Sequence, residues 1–423
     1  MNRRTLRKIS YRIFGTFYGR GIVFFATAYV SRVVGPESFG YLSIILSMYS
    51  VFLILGGNQL SRAVATYSAQ EPERKRMHYW HGLGFMLACY LVTMLAFYSF
   101  MLIVRPIEDA AIQRIALIYM PFLLFFLLTE LFKGTLLGSG RVGLLTIMEA
   151  IQGTLKAGLV ALFIYLSGFS GWMWGRISGE ALAYIVLFLM MIAVFRKDFA
   201  GQTLRLERPL LKRYVGYYGW SFLGGGLAQI QMQLQPFLVL WFVQSSSEVA
   251  FIKIALLYLT SLSLLAPSIT TALYADVARK HKDRDGLLRH MRKVLALTTG
   301  AFIIVLAGLW LLAPVLIDLL HGSAYSAVVP LFRVMLIAAL FQHISSINGG
   351  YWLAIGNVRL NSIVSLVSFI VFLAVSIPMC WFWSTWGMAL AVLVTRIFNS
   401  VLNTWVSYRW MVPMSSSAAE AAE

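Results

Sequence analysis

Long apolar runs, separated by short polar or charged breaks, follow one another along almost the whole chain. Each run reaches about 20 mostly apolar residues, which is the length that an α-helix needs to cross a bilayer. Backbone polar groups in lipid must be satisfied within the segment, so runs of this length indicate helices rather than the short alternating strands of a barrel. The pattern predicts an all-α integral membrane protein.

The apolar runs predict about twelve transmembrane helices, six in each half of the chain. The first six cover 11–34, 39–66, 79–104, 112–137, 142–168 and 172–195. The second six cover 214–243, 249–276, 294–320, 328–355, 358–383 and 386–411.

A basic linker at 196–213 separates the two sets of spans. It predicts an N-terminal lobe at 1–195 and a C-terminal lobe at 214–411, with a polar tail at 412–423. Turn motifs recur at corresponding places in the two halves, and six spans per half give both halves the same orientation. We therefore expect two parallel repeats around a central cavity, which is the default place for a substrate.

The net charge of +18 comes from basic residues in alternate loops. The N-terminal tail, the segment 74–76, the linker and the run at 279–293 all fall on one side of the predicted membrane. By the positive-inside rule this side is cytoplasmic, so we expect a multi-pass protein of a bacterial inner membrane with both termini in the cytoplasm. These residues form no exposed basic stripe with interleaved aromatics, which argues against a nucleic-acid partner.

The sequence offers little support for a disulfide, a metal site or a nucleotide site. Cys89 and Cys380 each lie inside an apolar run, which supports neither a disulfide nor a thiolate metal site. The glycine motif at 138–143 follows no strand of a βαβ unit, and there is no Walker motif for ATP. We predict no metal, no cofactor and no enzymatic activity, and we expect an ion to supply any energy.

Several motifs resemble one known family. They are 32–41 with its Gly-Pro-Glu-Ser-Phe-Gly turn, 58–63, 274–280, 312–314, 321–325 and 386–390. Together they resemble the polysaccharide transport branch of the multidrug/oligosaccharidyl-lipid/polysaccharide exporter superfamily, which includes the Wzx-type flippases. The resemblance covers nearly the whole chain.

The resemblance implies a function as well as a fold. It implies two six-helix lobes around a cavity that opens alternately to each side of the membrane. It also implies transfer of undecaprenyl-diphosphate-linked oligosaccharide repeat units from the cytoplasmic to the outer leaflet, for O-antigen, capsule or exopolysaccharide. The expected partners are this lipid-linked glycan, membrane lipid, a polysaccharide polymerase and a chain-length regulator, with the protein itself acting as a monomer.

Charged residues inside the predicted spans are the first candidates for a site, because such residues normally face a cavity or a partner. The predicted substrate-binding cations are Arg20, Arg62, Lys156, Arg176, Lys253, Arg333 and Arg396. The acids expected to act in coupling or in structure are Glu130, Glu149 and Glu180. A cavity with more cations than carboxylates suits a diphosphate or an acidic sugar.

Structural pairing is the alternative for some of these cations. Acids stand at helical spacings from them in the pairs Arg176 and Glu180, Glu130 and Lys133, and Glu149 and Lys156. The cations without such a partner in their own helix are Arg20, Lys253, Arg333 and Arg396. That favours the cavity for them, although Lys253 and Arg333 stand near the outer ends of their spans and can snorkel there.

Amide side chains form a second set of candidates. In span seven, three glycines at 224–226 and Pro236 weaken the helix around a series of glutamines. Near the inner end of span two, two amides precede Arg62. These side chains would contact substrate or form a hydrogen-bonded seam between helices. The predicted contacts are Asn58, Gln59, Gln231 and Gln233.

Two other functions fit parts of the sequence. A multidrug or organic-cation exporter shares the two-lobe arrangement, but it needs acids deep in its lobes, and spans one and two carry only Glu37 at their junction. A membrane glycosyltransferase or polymerase would also be polytopic and basic. It needs catalytic residues on a substantial outer loop, and the predicted outer loops are short.

Overall fold

The computed structural model of the chain describes residues 3–104, 109–198, 207–266, 269–270, 284–354 and 358–410. Within these ranges the regular structure is helical, and no strand occurs. Residues 199–206 of the predicted linker, the basic run up to residue 283, the motif at 274–280 and the C-terminal tail lie outside the described residues.

Among the described residues, six α-helices begin before the linker. They are α1 (Arg3–Leu55), α2 (Leu60–Gln70), α3 (Lys75–Ile103), α4 (Ala110–Tyr119), α5 (Leu123–Gly138) and α6 (Val142–Asp198). The helices described after it are α7 (Arg208–Ser221), α8 (Leu227–Val243), α9 (Ser246–Leu262), α10 (Arg284–His321), α11 (Val328–Ala354) and α12 (Val358–Trp410). A π-helical turn, Phe222–Gly226, joins α7 to α8.

Three of the longest helices each contain a sharp backbone break. Gly35 in α1 has φ 76°, Gly168 in α6 has φ 58°, and Ser384 in α12 has φ 52°. Positive φ is accessible to glycine and costly for most other residues. The breaks fall between the predicted spans one and two, five and six, and eleven and twelve.

The hairpins around two of these breaks share one packing device. In α6 and α12, a glycine stands three residues after the break. A β-carbon on Gly171 would overlap the carbonyl oxygen of Phe163, and one on Gly387 would overlap that of Met379. Each contact residue stands five positions before its break, so the two halves of the chain close these hairpins in the same way.

The helices are long enough for membrane spans. Among the described residues, seven helical stretches have the length and apolar composition needed to cross a bilayer, and some contain the breaks described above. Exposed side chains on them are largely aliphatic, for example Leu102 and Leu311, as expected for surfaces that face lipid. The protein is therefore a multi-pass membrane protein, and the count of twelve spans stays a prediction.

The chain forms two compact units, residues 1–237 and 238–423. The first includes α1 to α7, the π-helical turn and the first part of α8. In the second, α11 packs against α9, α10 and α12. The predicted lobe boundaries and the predicted cavity stay predictions.

Glycines allow α5 to pack directly on α2 in the first unit. A β-carbon on Gly134 would overlap the carbonyl oxygen of Ser61, and one on Gly138 would lie 2.6 Å from that of Ala65. Small residues of this kind permit close backbone approach between membrane helices. The contact fixes the start of α2, which carries Arg62.

Candidate functional site

Span two is interrupted close to its predicted inner end. Helix α1 ends at Leu55, the four residues 56–59 form a turn with Gly57 at φ 96°, and α2 begins at Leu60. The interruption frees backbone carbonyl groups, which need a donor when they are away from water. Tyr218 of α7 supplies it, because its hydroxyl lies 3.1 Å from the Ile54 carbonyl oxygen and 2.9 Å from that of Leu55.

The π-helical turn lies beside this interruption. Ser221 donates to Oε1 of Gln59 at 3.4 Å. A β-carbon on Gly225 would lie 3.7 Å from Nη1 of Arg62 and 3.9 Å from Nε2 of Gln59. The side chains predicted in span two and the glycines predicted in span seven are thus brought together. We call Asn58, Gln59, Arg62, Ser221 and Gly225 the polar break.

Arg62 is the only charged member of the polar break. Its side chain is exposed, whereas Gln59 is buried. No described carboxylate forms an ion pair with it. A guanidinium presents several donors in a planar fork that matches phosphate oxygens, and an adjacent amide adds further donors. The polar break can therefore bind an anion without first breaking an internal ion pair.

The other predicted amides continue along α8. Gln231 is buried and Gln233 is half-buried. Gln235 is also buried, and its Oε1 has no hydrogen-bond partner among the described residues. Gln231 and Gln235 are four residues apart and share a helix face, so they form a polar stripe that Gln233 does not join.

Lys156 and Glu180 form a buried ion pair between the two halves of α6. Lys156 Nζ lies 2.5 Å from Glu180 Oε1, and the Glu180 side chain is 1% exposed. A β-carbon on Gly179 would lie 2.9 Å from Cα of Lys156, which shows how closely the two halves approach.

Arg176 bonds a tyrosine beside this pair. Its Nε donates to the hydroxyl of Tyr119 at 2.8 Å. The partners expected from helical spacing were therefore wrong, because Lys156 pairs with Glu180 and Arg176 hydrogen-bonds Tyr119. Residue spacing along one helix cannot predict a contact that is made across a hairpin. The expected pair of Glu130 and Lys133 is confirmed, with 2.6 Å between charged atoms.

The remaining predicted cations occupy separate places. Arg20 on α1 is exposed, and Lys253 on α9 is half-buried. The Nε atoms of Arg333 on α11 and Arg396 on α12 are buried without a hydrogen-bond partner among the described residues. Glu149 on α6 is half-buried. Binding by these cations and coupling by the three acids stay predictions.

A polar seam between α11 and the two halves of α12 was not predicted. Asn403 donates to Ser345 at 2.7 Å, and Ser368 donates to Oδ1 of Asn399 at 2.5 Å. The bonds join buried side chains and are typical of contacts between membrane helices. The one available signal is the spacing of four residues between Asn399 and Asn403, which places both on one face of α12.

A charged corner between α2 and α3 holds the start of α7, and it was also missed. Glu71 accepts from Arg213 at 2.7 Å and from Arg74 at 3.3 Å. Arg74 also donates to Glu207 at 2.6 Å, and the Glu207 backbone N–H donates to Nε2 of His81 at 3.0 Å. The hydrogen bond from Arg213 lowers the pKa of Glu71. We call these five residues the corner clamp.

The two histidines at this corner, His78 and His81, have structural roles. His78 Nε2 lies 3.2 Å from Glu71, and the Tyr214 hydroxyl donates to the His78 carbonyl oxygen at 3.0 Å. Within the described residues, no group of three His, Cys, Asp or Glu side chains could hold a metal ion.

Comparisons with known proteins assign the chain to a family. The profile of the polysaccharide biosynthesis protein family matches residues 5–274. A Shigella flexneri protein described as a candidate O-antigen transporter is 20% identical over 394 residues, which cover 90% of this chain and 92% of that protein.

Solved structures show the same fold. A multidrug resistance MATE family transporter of the MOP superfamily, in its inward-facing conformation, has a TM-score of 0.78 at 14% identity, with 98% of this chain and 99% of that chain covered. The lipid II flippase MurJ in an inward closed conformation has a TM-score of 0.77 at 16% identity, covering 93% and 86%. The predicted all-α membrane fold is confirmed, and these relatives are transporters rather than enzymes. The chain belongs to the polysaccharide biosynthesis protein family.

Proposed function

We propose that this protein is a flippase that moves undecaprenyl-diphosphate-linked oligosaccharide repeat units across a bacterial inner membrane by alternating access. The glycan would then serve O-antigen, capsule or exopolysaccharide synthesis. The family, the O-antigen transporter relative and the MurJ-like fold support a polysaccharide-related flippase. The observation within the chain that carries the proposal is the exposed guanidinium of Arg62 at the polar break.

The diphosphate is the part of this substrate that the polar break fits. It carries negative charge and several acceptor oxygens, and it must leave water to cross the membrane. Arg62 has no carboxylate to compete for it among the described residues. Gln59 can add amide donors, and bidentate bonds from a guanidinium to phosphate oxygens are among the stronger polar contacts in proteins.

Other cations complete the proposed path. Arg20 and Arg62 receive the diphosphate from the cytoplasmic side, with both termini on that side. Lys253 and Arg396 hold the head group or the glycan later in the cycle. Lys156 is already paired with Glu180, so it contributes to the structure of the first unit rather than to binding.

Substitution of Arg62 tests the proposal. In a host that lacks its own copy of this protein, we expect Arg62→Ala to lower export of the surface glycan at least tenfold at equal protein level, and Arg62→Lys to retain part of it. The control is Arg114→Ala, because Arg114 is an exposed cation on α4 that makes no interaction with described residues. Full export by Arg62→Ala would overturn the assignment of the polar break.

Export of organic cations is the second candidate, because the MATE transporter shares the fold. The polar break opposes it, since its one charged side chain is a cation that repels such a substrate. We expect loss of the protein to abolish surface glycan without raising sensitivity to cationic drugs. The reverse result would establish the exporter function instead.

A further inference from the structure

An apolar groove runs between α10 and α11 in the second unit. Its volume is about 460 Å³. The lining side chains recur at helical spacings of three and four residues on both helices, so one face of each forms a wall. The lining includes Ile303, Leu306, Trp310, Leu336, Ile337 and Leu340.

The groove is open along its length. Leu311 at its edge is 77% exposed and Ile303 is 48% exposed. An exposed surface of this kind in a membrane protein faces the lipid chains rather than water. From Ile303 to Leu311 the wall is about 12 Å long at 1.5 Å per residue. That is less than half of a hydrocarbon core of about 30 Å, so the groove covers only part of the thickness of the bilayer.

Arg333 lies at one end of this apolar surface. It stands three and four residues before Leu336 and Ile337, and therefore on the groove face of α11. Its guanidinium carbon is 5.6 Å from the ring centre of Trp310, which lines the groove from α10. Its Nε is buried and has no hydrogen-bond acceptor among the described residues.

We propose that the groove binds an anionic phospholipid, with one acyl chain along the apolar walls and the phosphate group on Arg333. An acyl chain satisfies a groove that offers no polar contact, and phosphate oxygens supply the acceptors that a guanidinium requires. None of the described lining residues is acidic, so nothing there favours the ammonium group of a zwitterionic lipid. The short groove suits a phospholipid chain better than a long polyprenyl tail.

This site differs from the proposed flippase site. Arg333 was a candidate for substrate binding on sequence grounds, and the groove assigns it to bilayer lipid instead. The polar break lies in the first unit and shares no residue with the groove. Failure of the flippase proposal in the Arg62 test would therefore leave the lipid site standing, and the reverse also holds.

Thermal unfolding of the purified full-length protein tests the proposal. After delipidation in detergent, we expect phosphatidylglycerol to raise the Tm by several degrees and phosphatidylcholine to raise it clearly less. Arg333→Gln and Ala307→Trp, which fills the groove from an exposed lining position, should each lose at least half of that rise. Arg409→Gln is the matched control, because its guanidinium lies 5.3 Å from the ring centre of Trp405 outside the groove.

Several results would overturn the proposal. Equal Tm rises with the two phospholipids would show that the charge of the headgroup does not matter. A full rise in Ala307→Trp would show that the lipid does not bind in the groove. A rise with inorganic phosphate alone would leave a simple anion site. A Tm rise with undecaprenyl phosphate that depends on Arg333, without a rise with phosphatidylglycerol, would show that the groove binds the carrier lipid instead. If Arg333→Gln fails to fold, the Ala307→Trp result decides.

Discussion

The hydroxyl of Tyr218 lies 2.9 Å from the carbonyl oxygen of Leu55, the last residue of α1. This bond satisfies a backbone group that the turn at 56–59 removes from the helix. The interruption of span two is therefore matched by a side chain from α7. Such an arrangement is expected of non-helical backbone at membrane depth, which persists only where protein or water satisfies it.

Tyr218→Phe should destabilise the first unit without changing its shape. The substitution leaves the two carbonyl oxygens without their donor, and loss of such a bond costs about 1 kcal/mol. We expect a lower Tm and reduced glycan export. Tyr165→Phe is the control, because that ring is 78% exposed and makes no hydrogen bond to described residues. An unchanged Tm in Tyr218→Phe would show that water satisfies the break.

Gly134→Ala should separate α5 from α2. The added methyl group would overlap the Ser61 carbonyl oxygen, which belongs to backbone and cannot rotate away. Overpacking of this kind costs about 1–3 kcal/mol, and Arg62 would move with Ser61. We expect a lower Tm and weaker export. Gly84→Ala in α3, where a β-carbon meets no atom within 4 Å, should keep or raise the Tm through its better helix propensity.

Removing one partner of the ion pair in α6 should lower the stability of the protein more than removing both partners. Lys156→Met leaves the Glu180 carboxylate buried without its cation, and Glu180→Gln leaves the ammonium group without its anion. Breaking a buried pair costs about 3–5 kcal/mol, whereas replacing both partners is often neutral. Thermal unfolding of both single variants and the double variant measures this coupling. Additive losses in the double variant would contradict a direct pair.

The corner clamp should give a pH-dependent contribution to stability. The pKa of Glu71 is lowered below its usual value because Arg213 donates to its carboxylate. A carboxylate with a lowered pKa stabilises the fold above its unfolded pKa of about 4.3, and the contribution is lost as the pH falls through the folded pKa.

We therefore expect Glu71→Gln to lower the Tm at neutral pH, and the gap to wild type to close in acid below about pH 4. Both sides of the clamp are partly exposed, so the effect should be about 1 kcal/mol. Glu73→Gln tests specificity, since Glu73 is exposed and makes no ion pair with described residues. A gap that persists unchanged in acid would assign the effect to packing.

The sequence predicted local features of the fold well. Gly35 and Gly168 stand where spans were expected to end, because glycine tolerates the positive φ that a sharp reversal requires. The glycines at 224–226 marked a weakened helix, and the π-helical turn lies there. Ser384 carries no such signal, and that boundary followed only from the length of the apolar runs.

Contacts between distant segments could not be predicted in this way. Periodicity identifies neighbours three or four residues apart on one helix, which is why Glu130 and Lys133 were paired correctly. Lys156 meets Glu180 across a hairpin whose close approach depends on Gly179. Glu71 and Arg213 meet only because α7 returns to the corner between α2 and α3.

The corner clamp also bears on how the gene could be divided for expression as two fragments. The start of α7 bonds the turn between α2 and α3, and Tyr218 caps the end of α1. A fragment that stops within the linker would leave the acceptors of Glu71, Ile54 and Leu55 without these donors. The first unit ends at residue 237, inside α8. A cut after Val243, the last residue of α8, keeps these donors with their acceptors and leaves that helix whole, so it should give the more stable N-terminal fragment.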